Sequence, residues 1–199
     1  TDIGGDKNSN VLQFITIQTT GDSTEFGGLT QRRQTDQALS NKTRGCFIGG
    51  AHYSSYPTYI STNIIDFVTF SSLGDAQDFG DLIRGDWSSG AAANNTRGII
   101  AGGQGGSSPF SRSNVIQFIT IATTGNAEDF GDLTAVNSYT TAVSSSTRVV
   151  IGGGETPART HVIEFVTIAS TGNAQDFGDL TIAVDQLSGF SDVNGGIGD

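Results

Sequence analysis

The chain has 199 residues, of which 20 are Asp or Glu and 10 are Lys or Arg, for a formal net charge of −10. A surface of that sign repels phosphate backbones, so nucleic-acid binding is not expected. With 28 Gly, 12 Phe, one Cys and no Met, the composition favours strands and tight turns over helices and excludes an internal disulfide.

Ile3-Gly-Gly5 opens the chain with a glycine pair that recurs at Gly49-Gly50, Gly102-Gly103 and Gly153-Gly154. A chain that begins at Thr1 and lacks methionine is expected to be a processed product or a segment of something longer. No apolar run approaches the ~18 residues of a membrane-spanning helix, and no membrane insertion is expected. Val11-Leu-Gln-Phe-Ile-Thr-Ile-Gln-Thr-Thr-Gly-Asp22 is the first of four alignable segments, followed by Ile64–Asp75, Val115–Asn126 and Val162–Asn173. Each predicts a strand ending at a tight turn with glycine first. A short second strand is expected around the Asp-Phe-Gly-Asp-Leu-Thr stretch that follows, and a weaker third near Ala135–Val143 and its counterparts. The fourth is the clearest, at Thr43–Gly50, Thr96–Gly103 and Thr147–Gly154. Pro57, Pro109 and Pro157 all fall just after a glycine pair, where a missing N–H breaks no ladder. Cys46, within Cys46-Phe47-Ile48, reads as a small buried hydrophobe.

Phe14, Phe67, Phe118 and Phe165 are spaced by 53, 51 and 47 residues, and Phe26, Phe79, Phe130 and Phe177 repeat the same spacings. Along Val115-Ile-Gln-Phe-Ile-Thr-Ile121, apolar side chains point to both faces, since Ile116 and Phe118 lie opposite Ile119 and Ile121. A strand buried on both faces belongs to a sheet held between two others. The pattern predicts an all-β single domain over 1–199: a β-propeller of four repeats with about four antiparallel strands each. The repeats run approximately 6–50, 51–103, 104–154 and 155–199 plus 1–5. The tail Asn194–Asp199 aligns with the fourth strand, so the last blade is expected to be closed by the N-terminal strand.

The glycine pairs after an apolar strand, followed by a hydrophobic strand, a turn and an aromatic, resemble kelch repeats across nearly the whole chain. Where kelch blades carry Tyr and Trp after the glycine pair, Phe, Ile and Phe stand here. Thr124-Gly-Asn-Ala-Glu-Asp-Phe-Gly-Asp-Leu-Thr134 and Thr171-Gly-Asn-Ala-Gln-Asp-Phe-Gly-Asp-Leu-Thr181 resemble repeats in structural proteins of marine bacteriophages, cyanophages included. That resemblance implies a component of the virion exterior, such as a fibre, tail appendage or head decoration. Its partners would be other virion proteins, copies of itself or host cell-surface polysaccharide; the alternative setting is an extracellular assembly.

The repeated acids Asp81, Asp132 and Asp179, with Asp78, Asp129 and Asp176, would supply oxygen ligands to Ca²⁺ or hold turn N–H groups. The first repeat reads Glu25-Phe-Gly-Gly28 and lacks one acid, which favours the turn role; no metal or other cofactor is expected. Arg44, Arg97 and Arg148 recur after Thr at the start of the fourth strand and are expected to pair with the repeated Asp residues. Sites usually break the symmetry of their scaffold, so unrepeated residues are the candidates for binding. These are His52, Tyr53, Tyr56 and Tyr59 in one loop, and Trp87, which aligns with Gln34, Ser138 and Asp185. Aromatics of this kind suit sugar stacking or a protein contact, or pack blade ends and subunits. With two His, no nucleophile elbow and no metal spacing, an enzyme is not expected. The alternatives kept open are a polysaccharide-degrading appendage, whose acid spacing would be spatial, and a non-viral kelch-like interaction module.

Overall fold

Runs of β-branched and aromatic residues broken by Gly, Asn, Asp and Ser form strands throughout, and no helix occurs among the described residues. The structure, a computed structural model, describes residues 9–34, 37–55, 58–107 and 109–191, with the backbone alone for 53–55. In chain order the strands are β1 (Ser9–Phe14), β2 (Thr24–Arg33), β3 (Gln37–Ser40), β4 (Arg44–Ile48), β5 (Ala51–Ser55), β6 (Thr58–Ser61), β7 (Ile64–Thr69) and β8 (Gln77–Asp81). They continue as β9 (Gly90–Ala93), β10 (Arg97–Ala101), β11 (Gln104–Gly105), β12 (Ser111–Thr120), β13 (Glu128–Asn137), β14 (Thr141–Ser144), β15 (Arg148–Gly152), β16 (Thr160–Thr167) and β17 (Gln175–Val184).

Three antiparallel sheets share one plan: β3-β4-β7-β8, then β9-β10-β12-β13 with β11 on the start of β12, then β14-β15-β16-β17. Each draws its first two strands from one sequence repeat and its last two from the next. The first repeat therefore contributes its opening strands alone, as the two-stranded sheet β1-β2, while β5-β6 is a separate hairpin. Four equal four-stranded units, as expected from the repeats, are not what forms. β1 pairs with β2; the expected closure of the last blade falls on residues 1–5 and 194–199, outside the described residues.

Consecutive sheets stack face to face. Leu29, Val68 and Ala76 join β1-β2 to the second sheet, with Leu12 and Phe26 packed against them. Cys46, Ile48, Ile65, Phe67 and Phe79 of the second sheet meet Ile100, Ile119 and Ile121 of the third. The opposite face of the third sheet, with Ile99, Ile116, Phe118 and Phe130, meets Val149, Ile151, Val166 and Ile168 of the fourth. Ile119 and Phe118, adjacent in one strand, thus belong to different cores, as the two-sided pattern requires. The two phenylalanines of each repeat sit edge to face on neighbouring strands, with centroids 6.0 Å apart for Phe14–Phe26, 5.8 Å for Phe67–Phe79, 5.9 Å for Phe118–Phe130 and 6.1 Å for Phe165–Phe177. Burial of Cys46 pushes its thiol up to about 12, against a smaller opposing effect of Arg44, so it is inert packing.

The two most repeated motifs recognise each other across sheets. In the second and third sheets, Gly125 N–H donates to the Phe79 carbonyl (2.7 Å) and Ala127 N–H to that of Asp81 (2.8 Å). Asp81 N–H in turn donates to Asn126 Oδ1 (3.0 Å). The same set joins Gly172, Asn173 and Ala174 to Phe130 and Asp132, and Gly74, Asp75 and Ala76 to Phe26 and Gly28. Glycine is required in the Asp-Phe-Gly stretch because a Cβ on Gly80 or Gly131 would lie 2.4 Å from the carbonyl oxygen of the incoming turn. One further buried residue per strand joins in: Gln117 Oε1 accepts from Ile83 N–H (2.9 Å), and Glu164 Oε1 from Thr134 N–H (2.8 Å). At the corresponding place Asp66 accepts from both Thr30 N–H and its hydroxyl and pairs with Arg33 (2.8 Å).

Two expectations are corrected here. The repeated Asp side chains do not hold the turns. Residues 28, 81 and 132 act through their backbone, which is why Gly28 can stand where the others are Asp, and the accepting side chains are Asp75, Asn126 and Asn173. Nor do the repeated arginines pair with those acids. Arg44, Arg97 and Arg148 each lie 4.6 Å above the ring of Phe67, Phe118 or Phe165. Arg44 Nη1 donates to the Ile121 carbonyl (3.0 Å) and Arg97 Nη1 to that of Ile168 (2.9 Å), so both bridge to the next sheet. A planar guanidinium can stack and donate at once, which a carboxylate contact would not exploit.

Candidate functional site

The residues that follow each Asp-Phe-Gly-Asp stretch align as Asp86-Trp87-Ser88, Asn137-Ser138-Tyr139 and Val184-Asp185-Gln186, the first two of them leading into β9 and β14. Ser88, Tyr139 and Gln186 all adopt positive φ, at 57°, 57° and 52°. Such a conformation costs about 1–3 kcal/mol in a residue other than glycine. Backbone bonds between sheets hold it in place: Tyr139 N–H donates to the Ser88 carbonyl (2.7 Å) and Gln186 N–H to that of Tyr139 (3.1 Å). Stepping from sheet to sheet, these bonds gather residues of successive repeats around one cleft of about 500 Å³. Gln37, Trp87, Ser88, Tyr139, Thr140, Gln186 and Leu187 line it.

Trp87 meets Phe110 and Tyr139 edge to face, with centroids 5.4 Å and 6.0 Å apart. Tyr139 OH accepts from Gln104 Nε2 (2.8 Å), and Trp87 exchanges two backbone bonds with Gln104, fixing both rings. The Trp87 Nε1 and Thr140 Oγ1 atoms are buried without a hydrogen-bond partner. Aromatic walls, amide and hydroxyl groups and no charged side chain at the lining make a surface suited to a neutral, hydroxyl-rich ligand.

Beneath the cleft lies Asp86, 2% exposed. Burial pushes its carboxyl up to about 7, against the opposing charge of Arg84, whose Nε lies 2.9 Å from Oδ1. That contact is off-axis, and neither carboxylate oxygen has an aligned donor. At the aligned positions Arg33 and Asn137 donate to the carbonyls of Gly49 (2.8 Å) and Gly153 (2.9 Å). An ionised carboxylate has no proton to donate there.

Of the sequence candidates, Trp87 lies in the cleft. His52 and Tyr59 lie on the β5-β6 hairpin, where His52 is half-buried and its Nδ1 has no partner. The hairpin is seated by Ser61, whose hydroxyl donates to the Gly85 carbonyl (3.0 Å) and accepts from Gly106 N–H (2.8 Å). Tyr56 and the Tyr53 side chain fall outside the described residues. Tyr139, Phe110 and Gln104 escaped the sequence reading, although aligning Trp87 with Ser138 already places residue 139 one step beyond. Among the described residues no group of three or more His, Cys, Asp or Glu could hold a metal ion.

No family model matches the chain, and no curated protein matches it. Among solved structures it is similar to the structure of YjhT, with a TM-score of 0.73 at 9% identity. The match covers 89% of this chain and 61% of that one, so the chain spans less than two thirds of that neighbour's length. At such identity the likeness is one of fold.

Proposed function

We propose that the chain is a non-enzymatic structural and adhesive protein of a virion exterior, built as an open arc of kelch-like β-propeller blades. Sheets stacked in chain order, with their innermost segments around shared clefts, support the propeller reading. The Thr-Gly-Asn and Asp-Phe-Gly-Asp motifs, which resemble those of marine phage structural proteins, serve here as joints between sheets, a scaffolding use. The observation that carries the binding role is the convergence of repeats on the cleft walled by Trp87 and Tyr139. Its uncharged lining fits neutral segments of a host-surface polysaccharide, and many copies on one particle would multiply weak contacts.

The test is twofold. Mass spectrometry of purified particles should find the chain among their components. Titration with host surface polysaccharide should show binding that falls at least tenfold in Trp87→Ala and Tyr139→Ala with the fold retained. Unchanged binding in both variants contradicts the assignment of the cleft, and new reducing ends during incubation would transfer the reading to a polysaccharide-degrading appendage.

A further inference from the structure

The joint between sheets has two unlike halves, and each end of the stack displays one of them. One half is the face carrying the Asp-Phe-Gly-Asp strand. In the second and third sheets its Phe79 and Phe130 are 2% exposed; in the last, Phe177 is 55% exposed. Gly178 keeps the positive φ of its counterparts, 140°, yet nothing lies within 4 Å of where its Cβ would be. Among the described residues no turn donates to the Phe177 and Asp179 carbonyls, the groups that receive one in the other sheets. The other half is the long strand with its Gly-Asp or Gly-Asn turn. Ile121 and Ile168, inside the joints, are 0% and 1% exposed, whereas Ile17 at the aligned position of the first sheet is 87% exposed. Ser23, just after the Gly21-Asp22 turn, is exposed, whereas Ala76, Ala127 and Ala174 at the aligned position are 7%, 8% and 8% exposed.

We propose that the exposed face of the last sheet, around Phe177 and Gly178, takes the Thr20-Gly21-Asp22 turn and the Ile17 side of a second copy of this chain. The contact is head to tail, a fourth instance of a joint the chain makes three times within itself. It is heterologous, so copies add in one direction and form a closed ring or an open filament according to the rotation per copy. Asp22 can accept from Asp179 N–H as Asn126 accepts from Asp81 N–H. One difference marks this joint. The internal ones oppose Asp75 to Gly28 and Asn to Asp, whereas this one brings Asp22 near the Asp179 carboxylate, which lies 3.4 Å from His161 Nε2. The association is therefore expected to tighten as salt screens the two acids. The proposal rests on the joint geometry and not on the virion reading.

Sedimentation velocity tests it. The chain is expected to associate with rising concentration up to about 0.1 mM, more strongly at high salt. Ile17→Asp and Phe177→Asp, each on an exposed side chain, should each stay monomeric with an unchanged circular dichroism spectrum. Mixed together they retain one intact half each and should give a 1:1 heterodimer that grows no further. If Phe177→Asp disturbs its sheet, Gly178→Val serves as the second variant, blocking the turn carbonyl. A chain that remains monomeric at both salt concentrations, or two variants that still associate alone or fail to pair when mixed, overturns the proposal.

Discussion

Asp86 shows what a single position can cost a repeat. Its carboxyl titrates at about 7 in the folded chain against an ordinary 3.8. The folded state therefore holds the proton more tightly, and stability falls as pH rises between about 4 and 7, the loss being complete above that window. Each pKa unit corresponds to about 1.4 kcal/mol, so the penalty at pH 8 is on the order of a few kcal/mol. Asp86→Asn installs the residue that the next repeat carries at Asn137. Urea unfolding should show the variant more stable than the parent at pH 8 by roughly 1–3 kcal/mol and nearly equal at pH 4; equal stability at both values would show that Asp86 is not buried in ionised form. Glycines give a second contrast at this scale. Gly131→Ala forces a Cβ against the Gly172 carbonyl and should cost about 3 kcal/mol or more, whereas Gly178→Ala meets no atom and should lose about 1–2 kcal/mol from its backbone conformation alone. Similar losses in the two variants would mean that the turn does not dock at Gly131.

At the scale of strands and sheets, side chains at aligned positions have unequal worth because their neighbours differ. Ile121→Ala removes a buried side chain between two sheets and should destabilise by about 2–5 kcal/mol, while Ile17→Ala in the monomer should change stability by less than about 0.5 kcal/mol. Chemical denaturation of the two variants reads the difference. The long strand, its Asp-Phe-Gly-Asp partner and the Thr-Arg strand were legible in the sequence, since phenylalanine spacing and glycine pairs punctuate every repeat. The third strand expected near Ala135–Val143 instead straddles the turn between β13 and β14, and β5-β6 forms where a loop was expected. That Asp81 and Asn126 belong to one contact was not legible. They lie 45 residues apart, and nothing local says that one motif is the receptor of the other. The same applies to the arginines: Thr-Arg repetition announced a structural role, but the acceptor of Arg44 is a backbone carbonyl at Ile121, which no side-chain pattern reveals. In the cleft, Trp87 stood out by its rarity, while Tyr139 was masked by its repeat position and Tyr53, Tyr56 and Tyr59 drew attention by their clustering alone.

The molecule as a whole behaves as a short one-dimensional array in which each sheet is stabilised by the sheets on either side. Sheets with two covered faces should open last, and β1-β2 and β17, each with one face uncovered, should open first. Hydrogen–deuterium exchange resolved along the chain measures this directly. It is best done on Ile17→Asp, which cannot cover its end face with another copy. The amides of Ile99–Ala101 and Ile116–Ile119 should exchange most slowly, and those of Leu12–Phe14 and Leu180–Val184 orders of magnitude faster. Uniform protection from end to end, or β1 as protected as β12, would contradict an open stack and require the first and last sheets to meet.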